Sequence, residues 1–148
     1  MYVWHRESNI DIVCLMKNDE LISRVASVLH RRLDEHGRLH GDVGAVVLGS
    51  DGNTYTGVCV DTPSWGLCAE RSALAAMISK GTYRFEKVVA VWRDEETDKL
   101  HVLPPCGVCR QFMRDIDELN LGAIVLGLEQ IAKLRDLLPY HEWPRPLE

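Results

Sequence analysis

The stretch LPPCGVCRQF, residues 103–112, places Cys106 and Cys109 at C-x-x-C spacing directly after two prolines. Cysteines so spaced serve as a redox pair, as half of a zinc site, or as nothing in particular. The surrounding chain decides which.

Working outward, 148 residues with 46% hydrophobic content suit one domain with one buried core. No linker, repeat or low-complexity segment divides them, so a single domain over residues 1–148 is expected, with residues 1–18 as an N-terminal extension. Lys and Arg total 17 against 22 for Asp and Glu, a net charge of -5, and the basic residues are scattered apart from Arg31 and Arg32. A polyanion binder concentrates its basic residues in a stripe, so nucleic acid is disfavoured as a partner. The early apolar run Ile10 to Met16 contains Asp11, is too short to span a bilayer and lacks a signal-peptide layout. A soluble, cytoplasmic protein with no membrane partner is expected. Five cysteines are an odd number in a chain long enough to fold without staples, which favours metal binding or catalysis over a disulfide framework.

Hydrophobic periodicity supplies the coarse architecture. Leu21, Ile22, Val25, Val28, Leu29 and Leu33 recur at helical spacing, predicting a helix from Asn18 to His36 that stops at Gly37. VGAVVL (43–48), the Asp-Gly turn in GSDGN and TYTGVCV predict two paired strands. GLCAERSALAAMISKG (66–81) reads as a buried helix closed by Gly81. The strands KVVAVW and KLHVL follow, then a helix over 107–119, a fifth strand in LGAIVLGL, and a last helix from Glu129 to Leu138 stopped by Pro139. This order predicts an α/β protein, a three-layer α/β/α sandwich with a mixed sheet of about five strands.

The chemistry lies where two of these helices begin. Cys68 stands near the start of one, with Glu70 two residues on, and Cys106 and Cys109 stand at the start of another. Helix N-termini stabilise thiolates. Catalytic zinc takes three protein ligands and leaves a fourth position to water, and three such cysteines beside a carboxylate match that pattern. A thioredoxin-like redox pair has no use for Cys68-x-Glu70. His5, His30, His36, His40, His101 and His141 lack ligand spacing.

CAE followed by PCGVCRQ resembles the cytidine deaminase superfamily, whose pattern is His or Cys, x, Glu, then Pro-Cys-x-x-Cys. The resemblance extends over about residues 20 to 143, through VGAVVLGSDGNTYTGVCV and LRDLLPYHEW. Cysteine in the first motif, with AER, is similar to the small homotetrameric branch that includes cytidine and blasticidin S deaminases. It implies Zn2+ held by Cys68, Cys106 and Cys109, and Glu70 as the residue that protonates N3 of a pyrimidine and then its leaving amine. It also implies a homotetramer, and zinc-dependent hydrolytic deamination of cytidine- or deoxycytidine-type nucleosides, base-modified ones included, in pyrimidine salvage. Arg71, three residues after Cys68, is expected to hydrogen-bond a zinc thiolate and offset its charge.

Substrate contacts implied by the resemblance fall on Ala69, Cys59, Asp61 and Trp143. Cys59 and Asp61 stand where cytidine deaminases usually carry an Asn and a Glu for the ribose hydroxyls, and a thiol is a poor replacement for an amide. Gly41 stands near the place of a base-stacking aromatic, implying a wider pocket. Tyr140 and Trp143 either cover the core or line the substrate pocket. The short VDTPSWG loop favours a blasticidin S-like aminohydrolase as the alternative, although Val108 between the paired cysteines carries no charge for that antibiotic's acidic group. A non-catalytic, zinc-stabilised nucleoside-binding protein is the other alternative.

Overall fold

A computed structural model describes residues 17–127 and 131–141. Its helices are α1 (Asn18–Ala26), α2 (Ala69–Ser79), α3 (Gly107–Ile116) and α4 (Leu134–Leu137), with a 3-10 turn at Glu118–Gly122. A short hairpin, β1 (Arg32–Leu33) with β2 (Leu39–His40), stands apart from the main sheet. The main sheet has six strands among the described residues, in the order β4 (Thr54–Val58), β3 (Val43–Gly49), β5 (Phe85–Arg93), β7 (Ile124–Leu126), β8 (Ile131–Lys133), with β6 (Leu100–Leu103) also on β5. β5 pairs antiparallel with β3 and β6 and parallel with β7, so the sheet is mixed as expected.

The central strands are apolar on both faces because both faces are covered. Ala45, Val47, Val88 and Ala90 point to the side of α2, α3 and α4, in one buried cluster with Leu74, Met77 and Met113. Val46, Leu48, Val89 and Val91 point the other way and meet Leu21 and Val25 of α1. Each fully buried Val or Leu contributes about 1.5–3 kcal/mol relative to exposure. The three-layer sandwich follows from this alternation.

Gly57 fixes how closely α2 lies on the sheet. A Cβ there would stand 2.4 Å from the backbone N of Ala73 and 2.7 Å from the carbonyl carbon of Ser72. The helix backbone therefore rests directly on β4. Its far end closes as the sequence predicts, with Gly81 at φ 84° donating its N–H to the Ile78 carbonyl.

Two expected helices are corrected. The first helix ends at Ala26 instead of His36, because the chain beyond it finds other hydrogen-bond partners. The His30 N–H bonds the Gly41 carbonyl, and Asp34 Oδ1 accepts from the N–H groups of His36 and Arg38 at 2.8 and 2.9 Å. These contacts build the β1–β2 hairpin around Gly37, and Leu33, counted in the helical stripe, is 60% exposed. At the C-terminal end, Ile131–Lys133 pair antiparallel with β7, reducing the expected Glu129–Leu138 helix to the turn Leu134–Leu137. That pairing adds β8 to the five strands expected from the sequence.

Candidate active site

The antiparallel registers Gly44↔Val58 and Gly44↔Val91 bring the C-terminal ends of β4 and β5 to one edge of the sheet, where α/β folds place their ligands. The helix that follows β4 begins there. Cys68 is the N-cap residue of α2, with extended backbone (φ −65°, ψ 149°). Cys106 is the N-cap residue of α3, and its sulfur accepts from the Cys109 N–H at 3.5 Å. Both thiols lie at the positive end of a helix.

The sheet closes the 38-residue separation between Cys68 and Cys106 to an Sγ···Sγ distance of 4.0 Å, and Cys106 and Cys109 stand at 3.5 Å. All three sulfurs lie within 4.8 Å of one another. Sulfurs bound tetrahedrally to zinc at about 2.3 Å lie about 3.8 Å apart, so the donor set fits that ion. The cluster is able to bind zinc, as the paired motifs predict.

Glu70, in the first turn of α2, is 6% exposed. Burial pushes its carboxyl above the ordinary glutamate range, opposed by its own N–H, by Cys109 and by the Arg71 charge. The C-x-x-C thiols diverge. Burial, the Glu70 carboxylate and the neighbouring sulfurs push Cys109 far up. Burial also acts on Cys106, but hydrogen bonds from Cys109, Cys68 and the Val108 N–H outweigh it and hold that thiol below its ordinary value. The Arg71 guanidinium, one turn along α2, donates to Cys68 Sγ at 3.9 Å, and this bond raises the Arg71 pKa further.

The remaining expected residues divide. Ala69 is buried beside Glu70. Cys59 follows β4 and donates its thiol to Asp42 Oδ1 at 3.0 Å; burial, then Asp42, raise its pKa. Asp61 is exposed, and its N–H donates to His40 Nδ1 at 3.1 Å, while His40 Nε2 faces Asp34 Oδ2 at 3.3 Å. His40 thus ties Asp61 to the β1–β2 hairpin. The place of a side chain at Gly41, φ 71°, is filled by the His30 carbonyl, 2.2 Å from where its Cβ would stand. That glycine allows two backbone segments to cross. Tyr140 is fully exposed and does not cover the core. Trp143 and Cys14 lie outside the described residues.

Two positioning residues escape sequence reasoning. Asn120, fully buried, accepts from the Phe85 N–H and donates to the carbonyls of Tyr83 and Met113, tying α3 to the start of β5. Arg110 donates to the carbonyls of Pro105 and Leu137, tying the cysteine turn to α4. Nothing local marks either, because their partners are backbone groups outside their own local sequence pattern.

Comparison with known proteins gives matches along most of the chain. The family model described as "Cytidine and deoxycytidylate deaminase zinc-binding region" matches residues 16–127. A probable cytidine deaminase of Dictyostelium discoideum is 40% identical over 75 residues, 49% of this chain and only 48% of that protein. A cytidine deaminase of Halalkalibacterium halodurans is 33% identical over 103 residues, 66% of this chain and 74% of its own length. The crystal structure of a point mutant of Mycobacterium tuberculosis cytidine deaminase is similar with a TM-score of 0.67 and 28% identity, covering 84% of this chain and 97% of that one.

Proposed function

The chain belongs to the cytidine and deoxycytidylate deaminase family, and from this premise we propose that it is a zinc-dependent aminohydrolase converting cytidine-type nucleosides and water to uridine-type products and ammonia. One observation carries the reading: three cysteine sulfurs within 4.8 Å of one another, with the buried Glu70 carboxyl in the first turn of the same helix as Cys68. A binding protein stabilised by zinc has no physical need for a carboxyl desolvated at that place.

Cys68, Cys106 and Cys109 would hold the ion, each set by a helix start. Zinc bound there supplies Lewis-acid activation of a water molecule at neutral pH. Glu70 moves the protons. Its raised pKa lets it accept a proton from the attacking water and return it closer to neutrality than an exposed glutamate could. It delivers the first water proton to N3 of the pyrimidine as the C4–O bond forms, then takes the second from the new C4 hydroxyl and gives it to the amine as the C4–N bond breaks and C4=O forms. Arg71 offsets the excess negative charge of three thiolates around a divalent ion.

Val108, 58% exposed between the paired cysteines, presents no charge to an acidic antibiotic, which keeps blasticidin S behind cytidine as a substrate. A homotetramer is supported by large apolar side chains on the surface, Trp65 (95% exposed), Leu119 and Ile131 among them. A reducing cytoplasm suits three cysteines that serve as free thiolates, and the chain reads as one domain. No helix among the described residues is long and apolar enough to cross a membrane.

Ammonia release by the zinc-loaded protein from cytidine, deoxycytidine, deoxycytidylate, cytosine and blasticidin S tests the reading, with Glu70→Ala alongside. Release from the nucleosides, lost in the variant, is expected. Release from blasticidin S alone, or from none of the five, overturns it.

A further inference from the structure

Two sulfurs of the candidate zinc set stand apart from the third. Cys106 and Cys109 share the first turn of α3 with 3.5 Å between their sulfurs, whereas Cys68 comes from another helix and stands 4.0 Å from Cys106. The pair is also asymmetric, for Cys106 is exposed at the N-cap of α3 and Cys109 is fully buried. Disulfide formation by a small oxidant is favoured by one sulfur the oxidant reaches and a second close enough to bond after a side-chain rotation.

Cys106 is the sulfur freer to move. Its backbone is extended (φ −68°, ψ 168°), just outside the helix proper, and the Cys109 N–H holds its sulfur only at 3.5 Å. Cys68, by contrast, carries the Arg71 guanidinium on its sulfur. A bond from Cys68 to Cys106 would have to draw the starts of two helices together against a packed core, in which Ala69 and Cys109 are already buried. Service as zinc ligands does not remove the redox chemistry of two sulfurs so placed; it makes retention of the metal depend on it.

We propose that Cys106 and Cys109 form an oxidative modification site: hydrogen peroxide joins them as a disulfide, and zinc leaves with the loss of two of its three ligands. The Cys106 sulfur attacks one peroxide oxygen and the O–O bond breaks, giving a sulfenic acid and one water. The Cys109 sulfur then attacks the Cys106 sulfur, the S–O bond breaks, and a second water leaves. Two electrons pass from the two sulfurs to the peroxide, and the two protons needed come from the thiols, or from solvent where the sulfurs were zinc-bound. A dithiol reverses the step by attacking the exposed Cys106 sulfur, since Cys109 is closed to it. This rests on the zinc ligands of the deaminase reading above and not on its substrate.

The test treats the zinc-loaded, full-length protein with hydrogen peroxide, blocks the remaining thiols with iodoacetamide and maps them by mass spectrometry after trypsin, while a chromogenic chelator follows zinc. Residues 100–110 form one tryptic peptide that holds both Cys106 and Cys109, and Cys68 falls in another. The peptide 100–110 should become two hydrogens lighter and escape alkylation, in one-to-one step with zinc release, while Cys68 stays alkylated. Dithiothreitol followed by zinc should restore both thiols and the metal. Cys106→Ser, which leaves only the buried sulfur of the pair, should lose the Cys109 thiol at least about tenfold more slowly. Cys109→Ser should stop at a Cys106 sulfenic acid that dimedone traps. Mapping of the wild type decides the matter if neither variant folds. A disulfide that includes Cys68, a sulfinic acid at Cys106 with no disulfide, or a Cys106–Cys109 disulfide with zinc retained overturns the proposal. Deamination by a protein giving any of those three results leaves the deaminase reading intact. Disulfide formation with zinc release in a protein whose untreated form never deaminates overturns the deaminase reading alone.

Discussion

The guanidinium of Arg71 lies 3.9 Å from the sulfur of Cys68, with its Nε buried and without a hydrogen-bond partner among the described residues. An arginine so placed is committed to the thiol cluster. Three thiolates around a divalent ion would carry one excess negative charge, and we propose that Arg71 offsets it. Arg71→Ala should release zinc to a chromogenic chelator faster than the wild type and lower the rate. Arg71→Lys should fall between, since an ammonium keeps the charge but not the planar fork. Equal release from Arg71→Ala and wild type would show that the guanidinium serves only packing.

Glu70 points to a different split. It lies outside the three-sulfur donor set, so Glu70→Gln should retain zinc by metal analysis while turnover falls about 10²- to 10⁴-fold, the usual contribution of general acid–base catalysis. Loss of zinc in step with activity would instead make Glu70 a structural support for the cysteines.

Gly57 couples the sheet to the site. The atoms a Cβ would meet, Ala73 N and the Ser72 carbonyl carbon, belong to the backbone of α2 and cannot rotate aside. Gly57→Ala should cost about 1–3 kcal/mol in denaturant unfolding, the usual penalty of overpacking, and lower activity by displacing the helix that carries Cys68 and Glu70. An unchanged unfolding midpoint would mean that α2 does not rest on β4 as closely as described.

Asp51, in the β3–β4 turn, sets an acid limit. Burial alone would raise its pKa, but hydrogen bonds from Tyr55, from the side chain and N–H of Asn53, and from Thr82 bring it from 3.8 down to about 2. A depressed carboxylate contributes stability above its unfolded value, and that contribution fades as pH falls from about 3.8 toward about 2. Asp51→Ala should be less stable than wild type at neutral pH, with the difference shrinking across that acid window. A difference constant with pH would show that the carboxylate charge does not matter.

Much of this was legible along the chain because the signals are local. The Asp51-Gly52 turn, the Gly81 stop and both cysteine-bearing helix starts depend on residues within a turn or two of one another. Helical spacing from Leu21 to Leu33 was equally clear and misled beyond Ala26. A period reports what a segment can bury, and the Gly41 carbonyl and Asp34 offered that backbone other partners. The β8 strand was hidden for the same reason, since pairing with β7 decides it.

The sequence by itself determined the chemical inventory: three thiols, one glutamate and one arginine at spacings that put Cys68, Glu70 and Arg71 in one helical turn and Cys106 and Cys109 in another. Only the tertiary structure decided that the two turns meet at 4.0 Å, that Glu70 is desolvated, and that Cys59 is tied to Asp42 across 17 residues. Covalent spacing governs geometry over a turn of helix. Beyond that, distance and burial are set by which strands pair and which helix covers them.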